Sequence, residues 1–188
     1  PVITLTPTPT IYFKYYGGND EDVPYSAVYT GDGYLVAGGS NSFYNKNKDA
    51  FVIKTDLNGN LLWQKNYGDI FNDCVYSIKP ASDGKYILCG YSYSNSKKVV
   101  YYLLIDANGN LIWEKRLGED YGYSYQTAFN ALPAVDNGFI ISGRFDLGDN
   151  FLLKVDADGN CVWVKSYNYY FLEYNNILID NNTYVVLA

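Results

Sequence analysis

Short apolar runs alternate with turn signals along the chain, and no stretch sustains the period of an amphipathic helix. Asp32-Gly-Tyr-Leu-Val-Ala-Gly38, Asp83-Gly-Lys-Tyr-Ile-Leu-Cys-Gly90 and Asn137-Gly-Phe-Ile-Ile-Ser-Gly143 each read as a tight turn entering an apolar strand. Asn182-Thr-Tyr-Val-Val-Leu-Ala188 is a degraded fourth copy. Upstream of each lies an aromatic followed by a small polar residue: Tyr25-Ser26, Tyr76-Ser77, Phe129-Asn130 and Tyr174-Asn175. A second block recurs at a spacing of 50 residues, in Asp56-Leu-Asn-Gly-Asn-Leu-Leu-Trp-Gln-Lys65, Asp106-Ala-Asn-Gly-Asn-Leu-Ile-Trp-Glu-Lys115 and Asp156-Ala-Asp-Gly-Asn-Cys-Val-Trp-Val-Lys165.

Each unit therefore holds four short strands. In the second unit, strand A lies around Tyr76 to Lys79, B over Tyr86 to Gly90, C over Tyr101 to Asp106 and D over Leu111 to Arg116. Asp-Gly and Asn-Gly at the A–B and C–D corners supply the positive φ of tight hairpins. Four-stranded units at this period predict an all-β fold, a β-propeller of about four blades filling residues 1–188 as one domain. Strands A and B occur four times but complete C–D hairpins only three times. The missing hairpin is expected in residues 1–16. Val2, Ile3 and Leu5 would form an assembly strand C, and Ile11 to Tyr16 strand D, with Phe13 in the Trp position. These strands would complete the last blade of the same chain or of a neighbour, removing an exposed edge. Pro7-Thr-Pro-Thr10 between them also has the composition of a linker to another module.

Composition supports strands: 22 Tyr residues suit half-buried pleated surfaces. A formal net charge of −6 favours solubility and argues against nucleic acid as a partner. No apolar run is long enough for a membrane span. The chain opens at Pro1 without an initiator Met or signal peptide, which reads as processed or excerpted. With no His, Ser-His and His-metal chemistry is excluded. Acidic residues recur in every unit rather than as one singled-out pair, so no enzyme activity and no catalytic residue is expected. Asp56-Leu-Asn-Gly-Asn60 resembles the start of a calcium loop, but Trp63 stands in the stretch where a distal acidic ligand would be needed. An Asx-type hairpin turn is the stronger reading, and calcium is the one cofactor left open. Cys74 and Cys89 lie toward one end of neighbouring strands, where a disulfide could form, and Cys161 replaces a Leu as a buried apolar substitute.

Strand alternation puts the A–B and C–D corners on one face and the longer B–C and D–A loops on the other, where function usually sits. The candidate ligand or partner site is this loop face. The D–A loops bring Asp20 and Asp22, Asp69 and Asp73, and Glu119, Asp120 and Tyr121 toward the axis; the B–C loops add Tyr44, Tyr91, Tyr93 and Arg144. Aromatic planes beside Asp and Asn suit a glycan or a protein partner.

The Gly-Asn-x-x-Trp block loosely resembles the tryptophan-docking motif of quinoprotein-type propellers, with an Asp-to-Gly gap one residue shorter and no evident match to the cofactor residues. The whole repeat more closely resembles the Asp-Gly-Gly-Tyr and Asn-Gly-Asn-x-x-Trp propeller repeats of bacterial and archaeal secreted and surface proteins. That resemblance covers nearly the whole chain and implies an extracellular, cell-surface address but no activity. Two roles follow as expectations. One is a structural or assembly subunit, such as a filament, self-associating or binding other surface proteins. The other is a closed propeller that binds glycans or proteins through its loop face in adhesion.

Overall fold

The computed structural model of the chain describes residues 13–43, 47–94, 96–118, 125–145 and 148–167, together with the backbone of 176–180 and 183–187. It is all-β: three four-stranded antiparallel sheets follow one another, then a two-stranded hairpin. The first sheet comprises β1 (Asp22–Tyr29), β2 (Gly33–Ser40), β3 (Asp49–Asp56) and β4 (Leu61–Tyr67). The second comprises β5 (Asp73–Pro80), β6 (Tyr86–Ser94), β7 (Lys97–Ile105) and β8 (Leu111–Leu117). The third holds β9 (Gln126–Pro133), β10 (Phe139–Phe145), β11 (Asn150–Val155) and β12 (Cys161–Tyr167), and the hairpin pairs β13 (Asn176–Asp180) with β14 (Thr183–Leu187). Each sheet is a meander in chain order, so the A-to-D strands of the sequence pattern are its four strands. Of the four expected four-stranded units, three and a hairpin stand among the described residues. The expected assembly strand, with Val2, Ile3 and Leu5, lies outside them.

Face-to-face packing explains why the strands read as nearly unbroken apolar runs. Leu35, Ala37 and Val52 of the first sheet share a core with Tyr86, Leu88, Tyr101 and Leu103 of the second. On the opposite face of the second sheet, Ile87, Cys89, Val100 and Tyr102 pack with Phe139, Ile141, Phe151 and Leu153 of the third. The middle sheet is thus buried on both sides, and every residue from Val99 to Ile105 is buried. Burying each such aliphatic side chain stabilises the fold by about 1.5–3 kcal/mol.

One irregularity repeats in each four-stranded sheet. Opposite β2, β6 and β10, the innermost strand carries one extra residue, and that residue is the aromatic of the sequence pattern: Tyr25, Tyr76 or Phe129. Strand β5 lies beside β1 on one side and β9 on the other, and β13 lies beside β9. The bulged rings meet along this line, with Tyr25 and Tyr76 at 4.7 Å in an edge-on pair and Tyr76 and Phe129 at 5.9 Å. The glycine opposite each bulge is Gly38, Gly90 or Gly143, where a Cβ would collide with the carbonyl oxygen of Val23, Cys74 or Thr127. The upstream aromatic and the strand-B glycine are two halves of one feature.

The bulge also separates the cysteines. Cys74 precedes it and pairs with Tyr91, while Cys89 pairs with Ser77 beyond it. Cys74 faces Gly39 of the first sheet, Cys89 lies in the core shared with the third, and both are free thiols, so the disulfide that the sequence left open is not formed. Cys161 is exposed rather than buried, as are Leu61 and Leu111 at the same position.

Candidate functional site

The repeated Asp-x-x-Gly-Asn corner is an Asx turn. Asp106 Oδ1 accepts the Asn108 and Asn110 backbone N–H groups at 2.8 and 2.7 Å, and its Oδ2 accepts the Asn110 amide at 2.8 Å. Asp56 and Asp156 make the same three bonds, and these donors hold all three carboxyls below the usual carboxylate range. The carboxylate oxygens that suggested a calcium loop are occupied by N–H donors.

The corner is also where adjacent sheets dock. Trp63 and Trp113 are partly buried, one above Gly109 and the other above Gly159 of the following sheet, and the left-handed φ of +73° and +78° there leaves room for them. The Trp113 indole donates to the Ala157 carbonyl at 3.0 Å. The lysine two residues after each Trp reaches across the junction: Lys65 donates to Asn110 at 2.8 Å and Lys115 to Asn160 at 3.3 Å. Tyr67 donates to the Gly109 carbonyl at 2.7 Å; at the next junction Leu117 takes that place and Tyr102 donates to Gly159 instead, at 3.1 Å.

The same contacts are made to the first sheet by residues outside any sheet. Lys14 donates to Asn60 at 2.7 Å, and the Tyr16 hydroxyl donates to the Gly59 carbonyl. Lys14 and Tyr16 therefore correspond to Lys65 and Tyr67. In that register Tyr12, not Phe13, matches Trp63, and Phe13 is 83% exposed, which corrects the expected placement.

On the loop face, each D–A loop is clasped by the first residue of the following strand. Asp22 accepts the Gly18 N–H and the Ser42 hydroxyl, both at 2.8 Å, and also the Ser40 hydroxyl. Asp73, fully buried, accepts the Asp69 N–H at 2.9 Å and faces the Arg116 guanidinium at 3.5 Å. In the third sheet Gln126 takes this role, donating to the Gly118 carbonyl at 2.8 Å. Gly17, Gly68 and Gly118 are the glycines under these side chains. The repeated Gly17-to-Asp22 and Gly68-to-Asp73 spacing is the sequence signal for this clasp. Neighbouring loops are tied too, with Asp73 N donating to the Lys48 carbonyl and Lys48 N to the Asn72 side chain.

A cleft of about 370 Å³ opens beside this junction, lined by Asn47, Asp49, Asn66, Tyr67, Gly68, Asp69 and Ile70. Asp49 is nearly buried there. Burial pushes its carboxyl up to about 6, with the Asp73 and Asp69 carboxylates adding to the shift and the Asn66 amide opposing it. A carboxyl raised in the folded state costs stability above pH 6, and the cost fades as pH falls toward the ordinary value of 3.8. Asp49→Asn should therefore raise stability by roughly 1 kcal/mol near neutral pH, with no gain once both states are protonated. Urea unfolding at the two pH values checks this, and an equal effect at both would refute it.

The other predicted residues fall in two groups. Asp20 is exposed, Asp69 pairs with Arg116 at 3.1 Å, Tyr91 and Tyr93 lie where the second sheet bridges to the third, and Arg144 stands on the third sheet opposite Thr127. Tyr44, Glu119, Asp120 and Tyr121 lie outside the described residues. Lys98 and Tyr125, beside Tyr91 and Tyr93, belong to the same neighbourhood but stand outside the repeat motifs. Among the described residues no group of His, Cys, Asp and Glu is arranged to hold a metal, and no helix is long and apolar enough to cross a membrane.

No protein-family model matches the chain, and no curated protein matches it. Among solved structures it is similar to a protein of unknown function from Bacteroides caccae, solved at 1.35 Å, with 11% identity over 77% of this chain and 67% of that one, at a TM-score of 0.29.

Proposed function

We propose that the chain is a four-bladed β-propeller that serves as a non-enzymatic assembly subunit of the cell surface, its N-terminal segment supplying the outer strands of the fourth blade. The observation that carries this reading is the docking of Lys14 on Asn60 and Tyr16 on Gly59, the contacts an outer strand makes with the next sheet. Residues 13–16 thereby take the outer-strand place before the first sheet, while the hairpin β13–β14 supplies two inner strands. Counting back in this register puts Leu5, Thr8 and Pro9 where the other corners have Asp, Gly and Asn. The fourth corner lacks the Asx device, and a stiff Pro/Thr bridge favours an extended path to another subunit. A contact of that kind that does not close gives a polymer.

Deleting residues 1–10 should abolish self-association while the three sheets stay folded, as read by light scattering and circular dichroism. A full-length chain that stays monomeric at high concentration would overturn assembly. The second reading, a closed propeller that binds glycans or proteins, is favoured by the aromatic and cationic cluster at the loop face.

A further inference from the structure

Two cations of the loop face have acidic partners: Lys48 pairs with Glu21 at 3.2 Å and Arg116 with Asp69 at 3.1 Å. Lys98 and Arg144 do not; among the described residues no carboxylate lies within ion-pair distance of either. Lys98 instead sits 3.9 Å above the ring of Tyr91, which meets Tyr93 edge-on at 5.8 Å. Lys98 is cross-strand from Tyr93 and bridges to Tyr125, a ring 57% exposed on the third sheet. Arg144 stands opposite Thr127, two residues from Tyr125, and is close enough to repel Lys98. Burial holds the Lys98 ammonium below the usual lysine range, with Cys74 opposing the shift and Arg144 adding to it. Lys98 and Arg144 thus stand on adjoining sheets at the Tyr125 junction, without an acidic partner among the described residues, on a protein of net charge −6.

We propose that Tyr91, Tyr93, Lys98, Tyr125 and Arg144 form a binding site for a carbohydrate that carries a carboxylate. Tyrosine rings offer planes for the C–H face of a sugar. An ammonium and a guanidinium side by side match one carboxylate, whose charge removes their mutual repulsion. A carboxylate matches this pair of cations on the planar, single-charge scale that the site presents. This inference rests on the loop face being a binding surface and is independent of assembly.

Calorimetry on the full chain with a galacturonic acid tetrasaccharide and its neutral galactose counterpart tests it. The acidic sugar should bind in a salt-sensitive manner, and the neutral one at least about tenfold more weakly. Arg144→Gln, at an exposed position, should weaken the acidic sugar about tenfold with an unchanged melting temperature, and Lys98→Gln should act in the same direction. Equal binding of both sugars would overturn the carboxylate assignment yet keep the loop face as a glycan site. Binding of neither, or of a polyglutamate peptide alone, would overturn the carbohydrate assignment itself.

Discussion

Gly90→Ala should lower the unfolding free energy by about 3 kcal/mol or more, among the largest effects of any single substitution in the chain. The Tyr76 bulge turns the Cys74 carbonyl directly over Gly90, so the added methyl meets backbone on the neighbouring strand rather than the yielding end of a side chain. Relief requires the bulge to flatten, which would withdraw Tyr76 from the Tyr25 and Phe129 rings and disturb the line where the three sheets meet. A domain of ordinary stability holds only about 5–15 kcal/mol in reserve, so the variant should sit near the edge of folding. Urea denaturation gives the number. A loss under about 1 kcal/mol would mean that the inner strand is not bulged there.

Trp113→Ala should cost about 3 kcal/mol. The indole packs edge-on against Tyr102 at 6.1 Å and Phe139 at 5.9 Å, lies over Gly159, and satisfies the Ala157 carbonyl. Its removal opens a gap between two sheets and strands that acceptor, so lost packing and a lost hydrogen bond act together. The side chain is only partly buried, which places the expected cost at the low end for a core tryptophan. A loss below about 1 kcal/mol would assign Trp113 to the surface rather than to docking.

The strands were legible because every unit repeats the same grammar. Turn chemistry marks both corners, and the two-sided burial of β6 and β7 leaves apolar runs that only a strand of that length can use. The aromatic of strand A and the glycine of strand B were visible as a pattern. Their physical connection through a bulge was not, because it depends on register. The same bulge misled the reading of Cys74 and Cys89: one extra residue reverses which side of a strand faces a given neighbour. At the N-terminus, aromatics at Tyr12, Phe13, Tyr15 and Tyr16 make any match to Trp63 ambiguous, and the polar Lys14 is what sets the register. On the loop face the sequence points to acidic residues. The structure occupies Asp22 and Asp73 with loop clasps and brings Lys98 and Tyr125 beside Tyr91 and Tyr93, with Arg144 opposite Thr127 on the adjoining sheet. Arg144 was legible as a B–C loop residue, whereas Lys98 and Tyr125 come from different units and lie outside the repeat motifs, so no period could group them with it.

The central claim is that the N-terminal segment covers the outer edge of β14. Hydrogen exchange read by mass spectrometry tests it, comparing the full chain with the variant lacking residues 1–10. Alternate β14 amides face away from β13 and have no partner in the hairpin. They should be protected in the full chain and exchange freely in the truncated one, with β5 to β8 unchanged in both. Equal protection of β14 in the two proteins would show that something other than residues 1–10 covers that edge, and would contradict the account.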